Sequence, residues 1–414
     1  MRNKQLDLLF QDVPDSAPAF ITDTFVNRGD SLAVANALFS PEQPGNQIYA
    51  IHGSSRTGKS HLAMKIVHDL KQNHHVLAFT VNANIKGAAI DILKALYEQL
   101  NLAIRQWPET QSKTDYLTFT QSYLNDMNKL ILLGATKISM KKSLKLAEKL
   151  SASFKAKLPF LQIGVGGEQS TGNDQEASVE FSTLDVAGLR SCICVLLELM
   201  TVICDQTIVI LVDDLDLLEE LPGGSTESSQ LIPQLKFIAE LPRIAIFITS
   251  RRHYFIERQK EMYDFLDVSR LTEDHLKQIY DRRITLFNQN EPMFEAVVVN
   301  QLIMGFNGIV GAFLYECHLF MRHFITGPFP LKAKHLNQHL IKTIGEFRDN
   351  PETEMILLDI EKAVLNKQTE MVIMNVEKKH GFLYRVLIPK GYQQDTYVLM
   401  PLFAKTLHTF FSAE

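Results

Sequence analysis

Eight consecutive residues, Gly53-Ser54-Ser55-Arg56-Thr57-Gly58-Lys59-Ser60, fit the spacing G-x-x-x-x-G-K-[ST] at every fixed position. Those residue types suit one task. Glycines let backbone N–H groups turn inward around phosphate oxygens with no Cβ in the way. Lys59 brings a point charge to the β- and γ-phosphates, and the Ser60 hydroxyl can ligate Mg²⁺. A helix starting near Lys59 points its positive end at the same anion. The competing reading is a glycine-rich turn that binds nothing. Context decides against it, because the run lies between an apolar strand, Gln47 to His52, and an amphipathic helix. That helix runs from Lys59 to Leu70, with Leu62, Ile66, Val67 and Leu70 at core spacing. The expected ligands are ATP and Mg²⁺, with nucleotide contacts from Gly53 through His61.

A second element reads Ile208-Val209-Ile210-Leu211-Val212-Asp213-Asp214-Leu215-Asp216. Acids buried without partners would destabilise the end of such a strand. At the carboxyl end of a parallel strand they face the crevice where ligands bind. Asp213 is then the carboxylate for Mg²⁺, and Asp214 is placed to orient or deprotonate an attacking water. Asp216 either joins them or caps the next helix. The third element is the apolar run Arg243 to Thr249, followed by Ser250-Arg251-Arg252. Thr249 or Ser250 could hydrogen-bond a γ-phosphate or its water. Arg251 is the favoured cation for transition-state charge, in cis or toward a neighbour's site; Arg252 reads equally as surface.

The elements that must position these residues alternate. Strands expected at 47–52, 76–81, 207–212, 243–249 and 266–268 are interleaved with helices such as 59–70 and 88–100, which implies an α/β parallel sheet with both faces covered. The segment 1–44 precedes a core at 45–270, into which 103–186 is inserted. That insertion carries a lysine-rich stretch (Lys137, Lys141, Lys142, Lys145, Lys149, Lys155, Lys157) and a Gly/Ser/Asn-rich loop, Gly164 to Asn173. The lysines read as a solvated helix face or as a contact for nucleic acid or an acidic partner. Residues 271–328 are a helical lid, and after Pro328 and Pro330 the segment 329–414 is α+β, with strands at 382–388 and 396–400.

Bulk composition narrows the class. With 46% hydrophobic and 21% charged residues the chain reads as globular and multidomain, and a net charge of -5 argues against coating nucleic acid along its whole surface. Four cysteines (Cys192, Cys194, Cys204, Cys317) make no disulfide framework, and Cys192-x-Cys194 lacks zinc spacing. The longest apolar tract, Cys192 to Val212, is interrupted by Glu198, Asp205 and Gln206, so it reads as a buried helix and strand rather than a bilayer span. No leader is evident, and a cytoplasmic location is expected.

These elements, in this order, resemble the additional-strand class of P-loop ATPases, and within it the AAA+ and STAND families, especially origin-recognition-like ATPases of bacteria and archaea. Phe25-Val26-Asn27-Arg28 looks like the box these families place near the adenine, which implies Val26 and Arg28 as nucleotide contacts. Leu271-Thr272-Glu273-Asp274-His275-Leu276 resembles the phrase opening their lid, and Ile248 to Arg251 the STAND sensor strand. The chain also departs from the pattern. The lid turn Gly305-Phe306-Asn307-Gly308-Ile309-Val310-Gly311-Ala312 has neither the Arg nor the Gly-x-Pro of these families, leaving Arg282, Arg283 or Arg322 to substitute. Asp214 stands where many AAA+ motors use Glu, which suits slow turnover.

Two functions follow from the resemblance. The first is an ATP-gated switch coupling nucleotide state to self-association or partner docking, with defence or signalling implied by analogy. The second is a DNA-acting ATPase, an initiator, loader or transposition regulator, using the basic insertion and a winged-helix-like carboxyl-terminal domain. A small-molecule kinase shares the phosphate loop but would not need the acidic strand, the sensor-like strand or the lid.

Overall fold

The near-unbroken runs of Ile, Val, Leu and Phe become the centre of a parallel sheet. In this computed structural model the described residues are 10, 24–26, 33, 47–54, 56–74, 76–83, 88–107, 114–134, 137–139, 142–143, 146, 178–180, 185–215, 224–250, 264–286, 292–326, 329–349, 351–366, 368, 370–372, 386–389 and 396–412. The sheet strands are β1 (Gln47–His52), β2 (Leu77–Asn82), β5 (Ile208–Asp213), β6 (Ile244–Ser250) and β7 (Asp264–Asp267), in the order β2-β5-β6-β1-β7. All pair in parallel. β6, the extra strand, lies between the phosphate-loop strand and the acidic strand, and the order corresponds to 2-3-4-1-5 of the AAA+ sheet.

Because successive strand residues face opposite sides, each strand feeds two cores. Ile48, Ala50, Ile208, Ile210, Val212, Ile244, Ile246 and Ile248 pack with α2 (Ala89–Arg105), α3 (Thr114–Ile131), α4 (Val186–Cys204) and α5 (Gly224–Ala239). Tyr49, Ile51, Val209, Leu211, Ala245 and Phe247 pack with α1 (Lys59–His74) on the other face. Helix α3 comes from within 103–186, yet Leu117, Tyr123, Leu124 and Met127 sit in the same core as α2. Its Asn128 accepts hydrogen bonds from Tyr97 Oη (2.9 Å) and Asn101 Nδ2 (3.1 Å) of α2. Helix α4 is long and apolar enough to cross a membrane by composition, but Leu189, Ile193, Leu196 and Leu197 are wholly buried against the sheet layer, which makes it a core helix.

The lysine-rich stretch does not begin as a helix. Lys137 lies in β3 (Lys137–Ser139), which pairs antiparallel with β4 (Ser178–Glu180) so that Lys137 stands opposite Glu180. Lys142 is exposed; Lys141, Lys145, Lys149, Lys155, Lys157 and the loop Gly164 to Asn173 lie outside the described residues.

After β7 the chain is helical: α6 (Glu273–Leu286), α7 (Ala296–Phe306), α8 (Val310–His323), α9 (Ala333–Arg348) and α10 (Pro351–Leu365). β8 (Glu370–Val372), β9 (Leu387–Pro389) and β10 (Thr396–Leu399) follow, with β10 central and antiparallel to both, and α11 (Pro401–Ser412) closes the chain. The expected strand at 382–388 is described only from Leu387, and β8 is an addition to the sequence reading. Segments 271–328 and 329–414 share one hydrophobic core, from Leu276 and Phe313 to Leu340, Ile360 and Phe403. Backbone bonds stitch them where the prolines fall: Leu331 N donates to Met293 O (2.9 Å) and Glu295 N to Leu331 O (3.0 Å).

Candidate nucleotide site

The phosphate loop leaves β1 at His52 and delivers Lys59 at the first residue of α1. Among the described loop residues, Arg56 (φ 58) and Gly58 (φ 90) have left-handed backbone. Glycine adopts that conformation freely, whereas an arginine there must be held by its surroundings. The loop is braced internally: Thr57 Oγ1 and Lys59 Nζ both donate to Ser54 O at 2.9 Å. Thr57 and Lys59 are buried, and Ser60 and His61 are half-buried on the first turn of α1. Ser55 lies outside the described residues.

Asp213 ends β5, opposite Asn82 of β2 and beside the end of β6. A carboxylate only 4% exposed needs a donor, and Thr249 of β6 supplies one. Thr249 Oγ1 donates to Asp213 Oδ1 and accepts from Asp214 N (2.9 Å). The hydroxyl thus links both acids, and its single proton is given to Asp213, so here Thr249 positions the acidic pair. Asp214 turns out of the strand at φ 57 and is half-exposed where Asp213 is buried. Ser250, opposite His52 at the end of β1, is fully buried, and its Oγ has no hydrogen-bond partner among the described residues. A buried hydroxyl of that kind has hydrogen-bonding capacity left for a further polar group. Arg251, Arg252 and Asp216 lie outside the described residues.

The Phe25-Val26 pair straddles two bodies. Phe25 joins the core beneath α1, with its ring 5.7 Å from that of His61 and Lys65 Nζ 5.8 Å from its centroid. Val26 packs into the lid core with Leu271 and Leu276. Arg282 of α6 donates through Nη1 to Phe25 O, so the box is clamped between core and lid. Arg28 lies outside the described residues. Of the other lid arginines, Arg283 is buried near Cys317, and Arg322 is exposed at the last turn of α8. Sequence reasoning did not foresee that the lid meets the phosphate loop through Arg56. Its guanidinium carbon lies 5.0 Å from the Tyr315 ring centroid, and Gly311 N donates to Arg56 O (2.8 Å). Gly311 falls in the lid turn noted from the sequence, but nothing in its spacing or that of Tyr315 points to Arg56.

These residues fit a nucleoside triphosphate with Mg²⁺. The loop amides, Lys59 and the amino end of α1 suit phosphates, and Ser60 and Asp213 supply the hard oxygen ligands that Mg²⁺ takes. A parallel sheet with the extra strand between phosphate loop and acidic strand, followed by a helical lid, defines an AAA+-type P-loop fold. The particular likeness lies with archaeal origin-recognition proteins. The ORC2 protein of Aeropyrum pernix, solved as ADPNP-ADP complexes, superposes with a TM-score of 0.50 at 12% identity, covering 94% of this chain and 93% of that one. The Aeropyrum pernix ORC1 protein, solved in complex with DNA, gives 0.47 at 14% identity over 96% and 95%. The Cdc6p of Pyrobaculum aerophilum gives 0.44 at 12% identity over 93% and 92%. At these identities the likeness is one of fold. No protein-family profile matches the chain, and no curated protein matches it in sequence.

Proposed function

We propose that this chain is an ATP-binding and ATP-hydrolysing protein whose nucleotide state governs contact with DNA. The observation that carries the ATPase reading is the Asp213–Thr249–Asp214 arrangement, a buried acid and a half-exposed one tied by a single hydroxyl, at the sheet end that also holds the phosphate loop. Lys59 and the loop amides would hold phosphates, Ser60 and Asp213 the metal, and Asp214 a water; Arg251, outside the described residues, stays the cation that the sequence offers for developing charge. A bound nucleotide with Mg²⁺ supplies a phosphoanhydride bond open to hydrolysis.

The DNA-acting reading is favoured over a free-standing switch by the reach of the fold likeness. It runs through the lid and the α+β segment, covering 94% of the chain against the ORC2 protein, rather than stopping at the ATPase core. The test is phosphate release with fluorescence anisotropy on labelled duplex DNA. Wild type should release phosphate, Lys59→Ala should lose nucleotide binding, and Asp214→Asn should keep nucleotide but slow release by about 10²–10³-fold. DNA affinity should depend on ATP·Mg²⁺ and fall with salt. If ATP changes molecular mass in light scattering but never DNA affinity, the self-association reading replaces this one.

A further inference from the structure

Helix α8 touches the nucleotide site at one end and the carboxyl-terminal segment along its length, through two separate faces. Gly311 and Tyr315 are four residues apart and share a face. That face lies on the phosphate loop: Gly311 N donates to Arg56 O (2.8 Å), and Tyr315 stacks under the Arg56 guanidinium at 5.0 Å. The approach is close enough that a Cβ on Gly311 would stand 2.8 Å from Arg56 Cβ, so only glycine fits. Glu316 and His323 are seven residues apart on a second face. That face meets α9. His339 of α9 pairs through Nε2 with Glu316 Oε1 (2.6 Å) and through Nδ1 with His323 Nδ1 (2.6 Å). A carboxylate only accepts, so the Nε2–H of His339 donates to it. Both Glu316 and His339 are completely buried.

A buried Glu–His pair extended to a half-buried histidine is a costly way to join two helices that already share an apolar core. Apolar side chains there would leave no polar group to satisfy. What the polar chain adds is direction: its bonds hold at one relative placement of α8 and α9 and are lost when the helices slide. At the other end, Arg56 keeps a left-handed backbone (φ 58) with Gly311 bound to its carbonyl, so a change in the loop backbone pulls on α8. We infer that α8 is the coupling rod of this protein: Arg56 presents the state of the phosphate loop to Gly311 and Tyr315, and the Glu316–His339–His323 chain passes it to α9. The inference rests on the reading of the loop as a nucleotide site. It assigns Tyr315, Glu316, His323 and His339 as positioning residues that touch no ligand.

The experiment is hydrogen exchange of the full chain with and without ATP·Mg²⁺, with ATP binding measured by calorimetry on the same samples. In wild type, ATP should slow exchange in both α8 and α9, by about five-fold or more at responsive amides. Tyr315→Leu breaks the loop end, and His339→Gln and Glu316→Leu break the far end from opposite sides, so one that unfolds leaves the other to decide. Tyr315→Leu should abolish the ATP response in both helices. The far-end variants should keep it in α8 and lose it in α9. Tyr315→Leu combined with His339→Gln should lose no more of the α9 response than either alone. ATP binding with no α9 response in wild type, or an α9 response that survives these variants, overturns the inference. An absence of ATP binding instead overturns the reading of the site.

Discussion

Replacing Thr249 by valine probes the acidic pair with little change of shape. The side chain is fully buried, and valine fills almost the same volume, so a cavity contributes little. What is lost is one hydroxyl with two bonds. Its donation to the Asp213 carboxylate, itself 4% exposed, is a bond to a charged group worth about 1.5–3 kcal/mol. Its acceptance from Asp214 N, at 2.9 Å, adds about 0.5–1.5 kcal/mol. Thr249→Val should therefore destabilise the chain by about 2–4.5 kcal/mol, a large part of ordinary folding stability. Urea denaturation followed by far-ultraviolet circular dichroism reads this as a lower midpoint. Asp213→Asn should remove the charged part of the same bond, so the double variant should cost clearly less than the sum of the singles. Phosphate release should fall as well, because Asp213 and Asp214 lose their common anchor. A Thr249→Val protein within about 0.5 kcal/mol of wild type, or strict additivity with Asp213→Asn, would refute the bridging role.

Other outcomes follow from single contacts. Gly311→Ala should force α8 off the phosphate loop, costing about 1–3 kcal/mol and weakening nucleotide affinity, read by denaturation and calorimetry. Glu227 of α5 caps α2 by accepting from Ala89 N at 2.7 Å; Glu227→Ala should cost about 1 kcal/mol while Glu227→Gln keeps most of the bond, checked by denaturation midpoints. All four cysteines are free thiols. Burial pushes Cys192 up to about 11 and Cys194 up to about 12, and Cys317 well above its usual range. A thiol reagent at about pH 8 should therefore label only the partly exposed Cys204 in native protein and all four after unfolding. Unfolded thiols release protons from about pH 8.5, before the folded ones. Stability should consequently be intact below that pH and fall as pH rises toward about 12, read as a declining midpoint between those limits.

How much of this was legible depended on whether the signal was local. β1, β5 and β6 were readable because strands buried on both faces must be apolar throughout, and the acids after β5 marked its ligand end. The position of β6 between them followed from the resemblance, since pairing order leaves no trace in strand composition. The start of the lysine-rich stretch went to β3 because its partner, β4, lies some forty residues on, beyond the reach of helical periodicity. That the Thr249 hydroxyl also bridges Asp213 and Asp214 was not legible, because the strand end alone does not show which side chains face it. The Glu316–His339–His323 chain was invisible for the same reason. Each residue alone looks like an ordinary polar position on a helix, and only packing α8 against α9 brings them together.

The most direct test of the account is calorimetric titration of the full chain with ATP and Mg²⁺, set beside Lys59→Ala and Asp213→Asn. Saturable binding of ATP·Mg²⁺ to wild type, lost in Lys59→Ala and freed of its magnesium dependence in Asp213→Asn, is the predicted result. No heat of binding from wild type, or equal binding by all three proteins, would contradict it.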